Sequence, residues 1–255
     1  MIAGMLIFGI YRRILLPPDL KRLLTPGARV AWRNFLLGWG FALLSMVLLG
    51  ATMTAADVFT PYFRVPLEKA LSRIASSIAA GVFAGFLEEL FFRGILFLGL
   101  REHGGPVRAY LLANLFYSVI HFVKPGDEYF LQGLDPFAGF RHLLTTFDPF
   151  LAPFELLPGI IGLFLIGVVL SYALARSGNL YLSIGLHAGW IFSLKNFRVF
   201  GNFTREDLGW AFGSTDPKIV SGVITWIGVL LVAIAVNRLT RRGRCASGQP
   251  PAKAA

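Results

Sequence analysis

The chain has 255 residues, of which 55% are hydrophobic and 15% charged, with 24 Phe and a mean hydropathy of +0.65. This is too apolar for a soluble domain of that length and fits an all-α, polytopic helical membrane protein. The net charge of +10 gathers at the ends of apolar stretches, which argues for anionic membrane lipids as partners and against nucleic acid, and the single Cys245 excludes an internal disulfide or a CxxC metal site.

Residues 1–28 read as an N-terminal amphipathic segment and basic loop. Met1–Ile10 is about half the length of a span, its positive charges follow the apolar run, and Pro17-Pro18 ends it, so an interfacial or short extra helix is expected. Residues 29–240 form one helical membrane domain with about six spans, near 34–54, 74–100, 107–123, 154–175, 179–198 and 217–237. Six spans put Arg12, Arg13, Lys21, Arg22, Arg29, Arg33, Arg101, Arg108, Arg176, Arg238, Arg241, Arg242 and Arg244 on one side. The positive-inside rule makes that side cytoplasmic, C-terminus included, in a multi-pass protein of a bacterial-type inner (plasma) membrane. Arg64, Lys69 and Arg73 run against this parity, whereas the loop 124–153 with Asp127, Glu128, Asp135 and Asp148 suits the outer side. The basic tail 241–255, with Gly248, Pro250 and Pro251, is expected to be disordered.

The second span carries Glu88-Glu89-Leu-Phe-Phe-Arg93. A carboxylate at bilayer depth costs about 2.5–3.5 kcal/mol, so each needs a partner or a task. Glu89 and Arg93 share a helix face, with the glutamate on the favourable N-terminal side, and read as an ion pair. Glu88 is rotated about 100° away and needs a partner on another helix. In the third span Asn114, Tyr117 and His121 lie on one stripe, and in the fifth Ser183 and His187 share a face, followed by Trp190. Glu88 is 13 residues from Arg101 and His121 is 13 from Arg108, about 20 Å of helix in each case. His187, eight residues past Asn179, is about 12 Å deep. A glutamate beside a neutral histidine can take a proton from water and pass it to a leaving amine, while a second histidine steadies an oxyanion. That is peptide hydrolysis without a covalent enzyme intermediate.

With these elements in place, the sequence resembles the CAAX protease and bacteriocin-processing (ABI) family of intramembrane glutamate endopeptidases. Glu88-Glu89-x-x-x-Arg93 matches the first motif, Tyr117-x-x-x-His121 the second, with tyrosine for phenylalanine, and His187-x-x-x-Ile191 the third, with isoleucine where many members have asparagine. The similarity spans about 80–195. It implies a membrane endopeptidase that acts near the C-terminus of a hydrophobic or lipidated peptide or protein and needs no cofactor. By position it makes Glu88 and His121 the water-activating pair, His187 the oxyanion donor, and Glu89 and Arg93 their supports. Asn114, Ser183 or the Trp190 indole could supply the side-chain donor that Ile191 lacks. Alternative readings remain: a zinc-dependent protease with Glu88, His121 and His187 as ligands, a non-catalytic scaffold or bacteriocin-immunity protein, and a proton-coupled transporter.

Overall fold

The computed structural model describes residues 20–123, 137–197, 199–205, 207–213 and 218–247. The expected N-terminal helix over 1–16 and most of the acidic stretch of the 124–153 loop lie outside the described residues.

The described chain runs through α1 (Leu20–Leu24), α2 (Ala28–Ala55), α3 (Leu67–Glu89), a π-helical segment (Leu90–Phe97), α4 (Leu98–Ile120), α5 (Ala138–Thr145), α6 (Pro153–Ser177), α7 (Tyr181–Phe197), α8 (Gly209–Phe212) and α9 (Val223–Ser247). Two three-residue strands, β1 (Phe59–Pro61) and β2 (Gly201–Phe203), pair antiparallel and clip the loop after α2 to the loop after α7. This clip has no counterpart in the sequence reading, because three residues are too few to show an alternating pattern. The protein is an all-α, polytopic membrane protein.

Among the described residues, four helical runs are long and apolar enough to cross a membrane: Ala28–Ala55, Leu67–Ile120, Pro153–Ser177 and Val223–Arg241. These four runs hold five of the six expected spans. Spans two and three are a single run of 54 residues, broken at Gly105, whose φ of 79° lies in the left-handed region that favours glycine, and Pro106 then restarts the helix. The fifth, α7, has 17 residues and is short. The last helix also continues to Ser247, past Arg241 where disorder was expected. Arginine has good helix propensity, and cations suit the negative end of the helix dipole.

The break at Gly105 makes a helical hairpin. Phe97 packs edge-on against Tyr110 at 4.9 Å between ring centroids, and Phe92 against Tyr117 at 5.0 Å, so α4 returns alongside the π segment. Glu88 and His121 stand 17 and 16 residues from Gly105, and this register brings them to the same level. The contact therefore follows from the hairpin.

Helix α7 is the centre of the bundle. Every residue from Leu182 to Trp190 is buried, which explains why no amphipathic stripe marks it. It fits between α2 and α3 because small residues line both seams. A Cβ at Gly38 or Gly185 would lie 2.3 Å or 2.1 Å from the backbone oxygens of Leu182 and Phe35, and one at Gly81 would lie 2.7 Å from that of Ala188. Gly85 also faces Ala188. These close approaches hold His187 level with the end of α3.

Gly185→Ala should therefore overpack the α2–α7 seam and cost about 1–3 kcal/mol or more. Gly40→Ala on α2, with nothing within 4 Å of its added methyl, should be neutral or stabilising by up to about 1 kcal/mol. Thermal unfolding of both variants in detergent checks the contrast.

Candidate active site

The structure brings six polar or titratable side chains together at the junction of α3 and the π segment: Glu88, Glu89, Arg93, Tyr117, His121 and His187. They come from three places in the chain, the Glu88–Arg93 stretch, α4 and α7. Short π-helical stretches recur at functional sites, and here one holds Arg93 immediately after the two glutamates.

Glu89 and Arg93 lie at the bottom of the cluster with essentially no exposure. Arg93 Nη1 donates to Glu89 Oε1 at 2.9 Å, and Nη2 donates to the carbonyl of Gly167 on α6 at 3.3 Å. Its guanidinium carbon sits 4.3 Å from the centroid of the Tyr117 ring. Gly167 permits this approach, since a Cβ there would meet Asn114 Oδ1 at 2.8 Å and the Tyr117 ring at 3.1 Å. The same Glu89 oxygen faces His187 Nδ1 at 2.9 Å. A carboxylate only accepts, so Nδ1 of His187 carries the hydrogen and donates it.

Glu88 is turned to the other side. Its side chain is 27% exposed and that of His121 29%, against 0% for Glu89, so water reaches the cluster through Glu88 and His121. His121 Nδ1 lies 2.6 Å from the Tyr117 carbonyl, which fixes the proton on Nδ1 and leaves Nε2 facing Glu88 Oε2 at 3.4 Å. His187 Nε2 approaches the same Glu88 oxygen at 3.7 Å and the Tyr117 hydroxyl at 3.4 Å. Glu88 Oε2 is buried and has no hydrogen-bond donor. Oxygen and nitrogen lone pairs facing each other over such distances are satisfied by a shared proton or by the hydrogens of one water molecule.

Three residues singled out from the sequence do not join this cluster through their donors. Asn114 Nδ2 donates to the Tyr110 carbonyl, and its Oδ1 accepts from Ser171. Ser183 donates to the carbonyl of Leu180 in its own helix. The Trp190 indole donates to Ser45 on α2. None of these three donors is free to replace the side chain missing at Ile191. The Tyr117 hydroxyl, which the sequence places on one stripe with Asn114 and His121, is at the cluster instead.

Among the described residues, no group of three or more His, Cys, Asp or Glu side chains is placed to hold a metal ion.

Residues 70–193 match the family model described as Type II CAAX prenyl endopeptidase Rce1-like, a stretch that contains the whole cluster. No curated protein and no solved structure matches the chain.

Removing the guanidinium should leave Glu89 as an uncompensated buried charge beside His187. Arg93→Met is expected to cost about 3–5 kcal/mol, and adding Glu89→Gln should recover part of that loss because the stranded charge goes with it. Denaturation of the single and double variants in detergent measures the difference.

Proposed function

We propose that this chain, which over residues 70–193 belongs to the CAAX endopeptidase family, hydrolyses a peptide bond near the C-terminus of a hydrophobic or lipidated peptide, with water activated by Glu88 and His121. The observation that supports this most strongly is the placement of Glu88. A buried oxygen of a partly exposed carboxylate, without a hydrogen-bond donor, faces the lone pair of a histidine whose other nitrogen is already committed.

The chemistry follows from the available protons. A water held beside Glu88 Oε2 and His121 Nε2, within reach of both, gives one proton to this pair as its oxygen attacks the scissile carbonyl carbon. The new C–O bond forms and the carbonyl electrons move onto oxygen. In its imidazolium form His187 donates through Nε2 toward that oxyanion, while Glu89 holds Nδ1. The tetrahedral adduct collapses, the C–N bond breaks, and the proton held by Glu88 and His121 passes to the departing nitrogen. The products are an amine and a carboxylic acid, which releases the second water proton as it ionises to carboxylate, and no enzyme atom becomes covalently attached. Glu89 and Arg93 do not exchange protons with substrate in this scheme; they orient His187.

An apolar cavity of about 390 Å³ between α2, α7 and α9, lined by Phe41, Met46, Leu49, Trp190, Leu194 and Val229 among others and by no residue of the cluster, has the chemistry to take a hydrocarbon chain. The clustering of basic residues at the span ends supports a C-terminus on the cytoplasmic side of the inner membrane, where the same residues meet anionic lipids.

Glu88→Gln should abolish cleavage of a peptide library containing farnesylated and unmodified tails, and His121→Ala should slow it by about 10²–10⁴-fold. Wild-type cleavage should survive a chelator. Loss of activity with chelator alone would move Glu88, His121 and His187 to the role of zinc ligands, and identical products from wild type and Glu88→Gln would remove the hydrolytic role. Mass spectrometry of the products separates these outcomes.

A further inference from the structure

We propose that the hydroxyl of Tyr117 is a catalytic donor to the oxyanion, standing where this chain has no side-chain amide. The inference rests on the hydrolytic reading of Glu88 and His121 and adds a residue to it.

A hydrolytic site needs a hydrogen-bond donor aimed at the developing oxyanion, and one such donor is worth about 10²–10³ in turnover. His187 alone meets this need only when doubly protonated. Its Nδ1 hydrogen is spent on Glu89 at 2.9 Å, so in the neutral ring Nε2 is a bare acceptor. Ile191, one turn further along α7 on the same face as His187, carries no donor. Asn114, Ser183 and Trp190 donate to Tyr110, Leu180 and Ser45. The Tyr117 hydroxyl needs no prior protonation to donate, and it lies 3.4 Å from His187 Nε2.

The ring that carries this hydroxyl is fixed on several sides. Arg93 lies over its face, the Phe92 ring packs edge-on at 5.0 Å, and the His121 ring meets it at 4.4 Å. Its residue is 1% exposed, so the hydroxyl is shielded from competing water while Glu88 and His121 remain open to it. A donor held in place before the reaction loses little to reorganisation as charge builds. In the resting site it faces His187 Nε2, and when the tetrahedral adduct forms it turns its hydrogen to the oxyanion. No proton is transferred from it.

The test is Tyr117→Phe, which removes one oxygen and keeps the ring packing. Full-length protein in detergent is assayed on whichever library peptide is cleaved in a Glu88-dependent way. The expected result is a fall in kcat of about 10²–10³-fold with KM within about threefold of wild type and unchanged thermal unfolding. A phosphinate version of the same peptide, which carries a tetrahedral anionic oxygen, should lose affinity by a comparable factor, while the cleaved product peptide should bind as before. A kcat within threefold of wild type, or phosphinate affinity unaltered by the substitution, would overturn the assignment of Tyr117 and leave the hydrolytic reading standing. Cleavage indifferent to Glu88→Gln would instead overturn the hydrolytic reading, and this one with it.

Discussion

The structure turns on one buried carboxylate. Glu89, fully removed from solvent, is shared between Arg93 one turn along its own helical run and His187 on α7, and Arg93 continues the network to the Gly167 carbonyl on α6 and the Tyr117 ring on α4. An isolated charge at this depth would be costly, so the partners that make it tolerable are constrained to meet at one point. Four parts of the bundle are tied together in this way. The glycine seams of α2, α3 and α7 provide the close packing that such a meeting requires.

The neighbouring Glu88 owes its freedom to that commitment. Successive residues on a helix point about 100° apart, so holding Glu89 inward turns Glu88 toward the opening, where its side chain is 27% exposed. Each carboxylate keeps one buried oxygen without a donor, and that of Glu88 faces two histidine nitrogens. The two histidines divide in the same manner. His187, 6% exposed, is held by Glu89, whereas His121, 29% exposed, is held by a backbone carbonyl and faces the side that water reaches.

Much of this was legible in the sequence, for identifiable reasons. The Glu89–Arg93 pair follows from a spacing of four, and the meeting of Glu88 with His121 follows from their equal distance to the basic turn between their spans. Both are periodic or length arguments, which survive folding. Side-chain hydrogen bonds are less predictable because they depend on rotamers and on what lies within reach. Ser183 and Asn114 shared stripes with the histidines yet bond back to Leu180 and Tyr110 in their own helices, a common satisfaction for polar side chains in apolar surroundings. Trp190 found Ser45 on a helix 145 residues away in sequence, a contact that no local pattern encodes. Tyr117 carried one available signal: it is four residues before His121, on the same face, with a hydroxyl that a buried site must either satisfy or use. The break at Gly105 was also visible, as Gly104-Gly105-Pro106, and the two spans around it are indeed separate helices, divided where Gly105 takes non-helical angles.

In the proposed reaction, water held by Glu88 and His121 cuts a peptide bond directly. The most direct measurement is mass spectrometry of peptide products formed in ¹⁸O-labelled water by the purified full-length protein and by its Glu88→Gln variant. The wild type is expected to give products whose new C-terminal carboxylate carries a single labelled oxygen after one turnover, and the variant to give none. Labelled product in equal amount from both proteins would contradict that reaction.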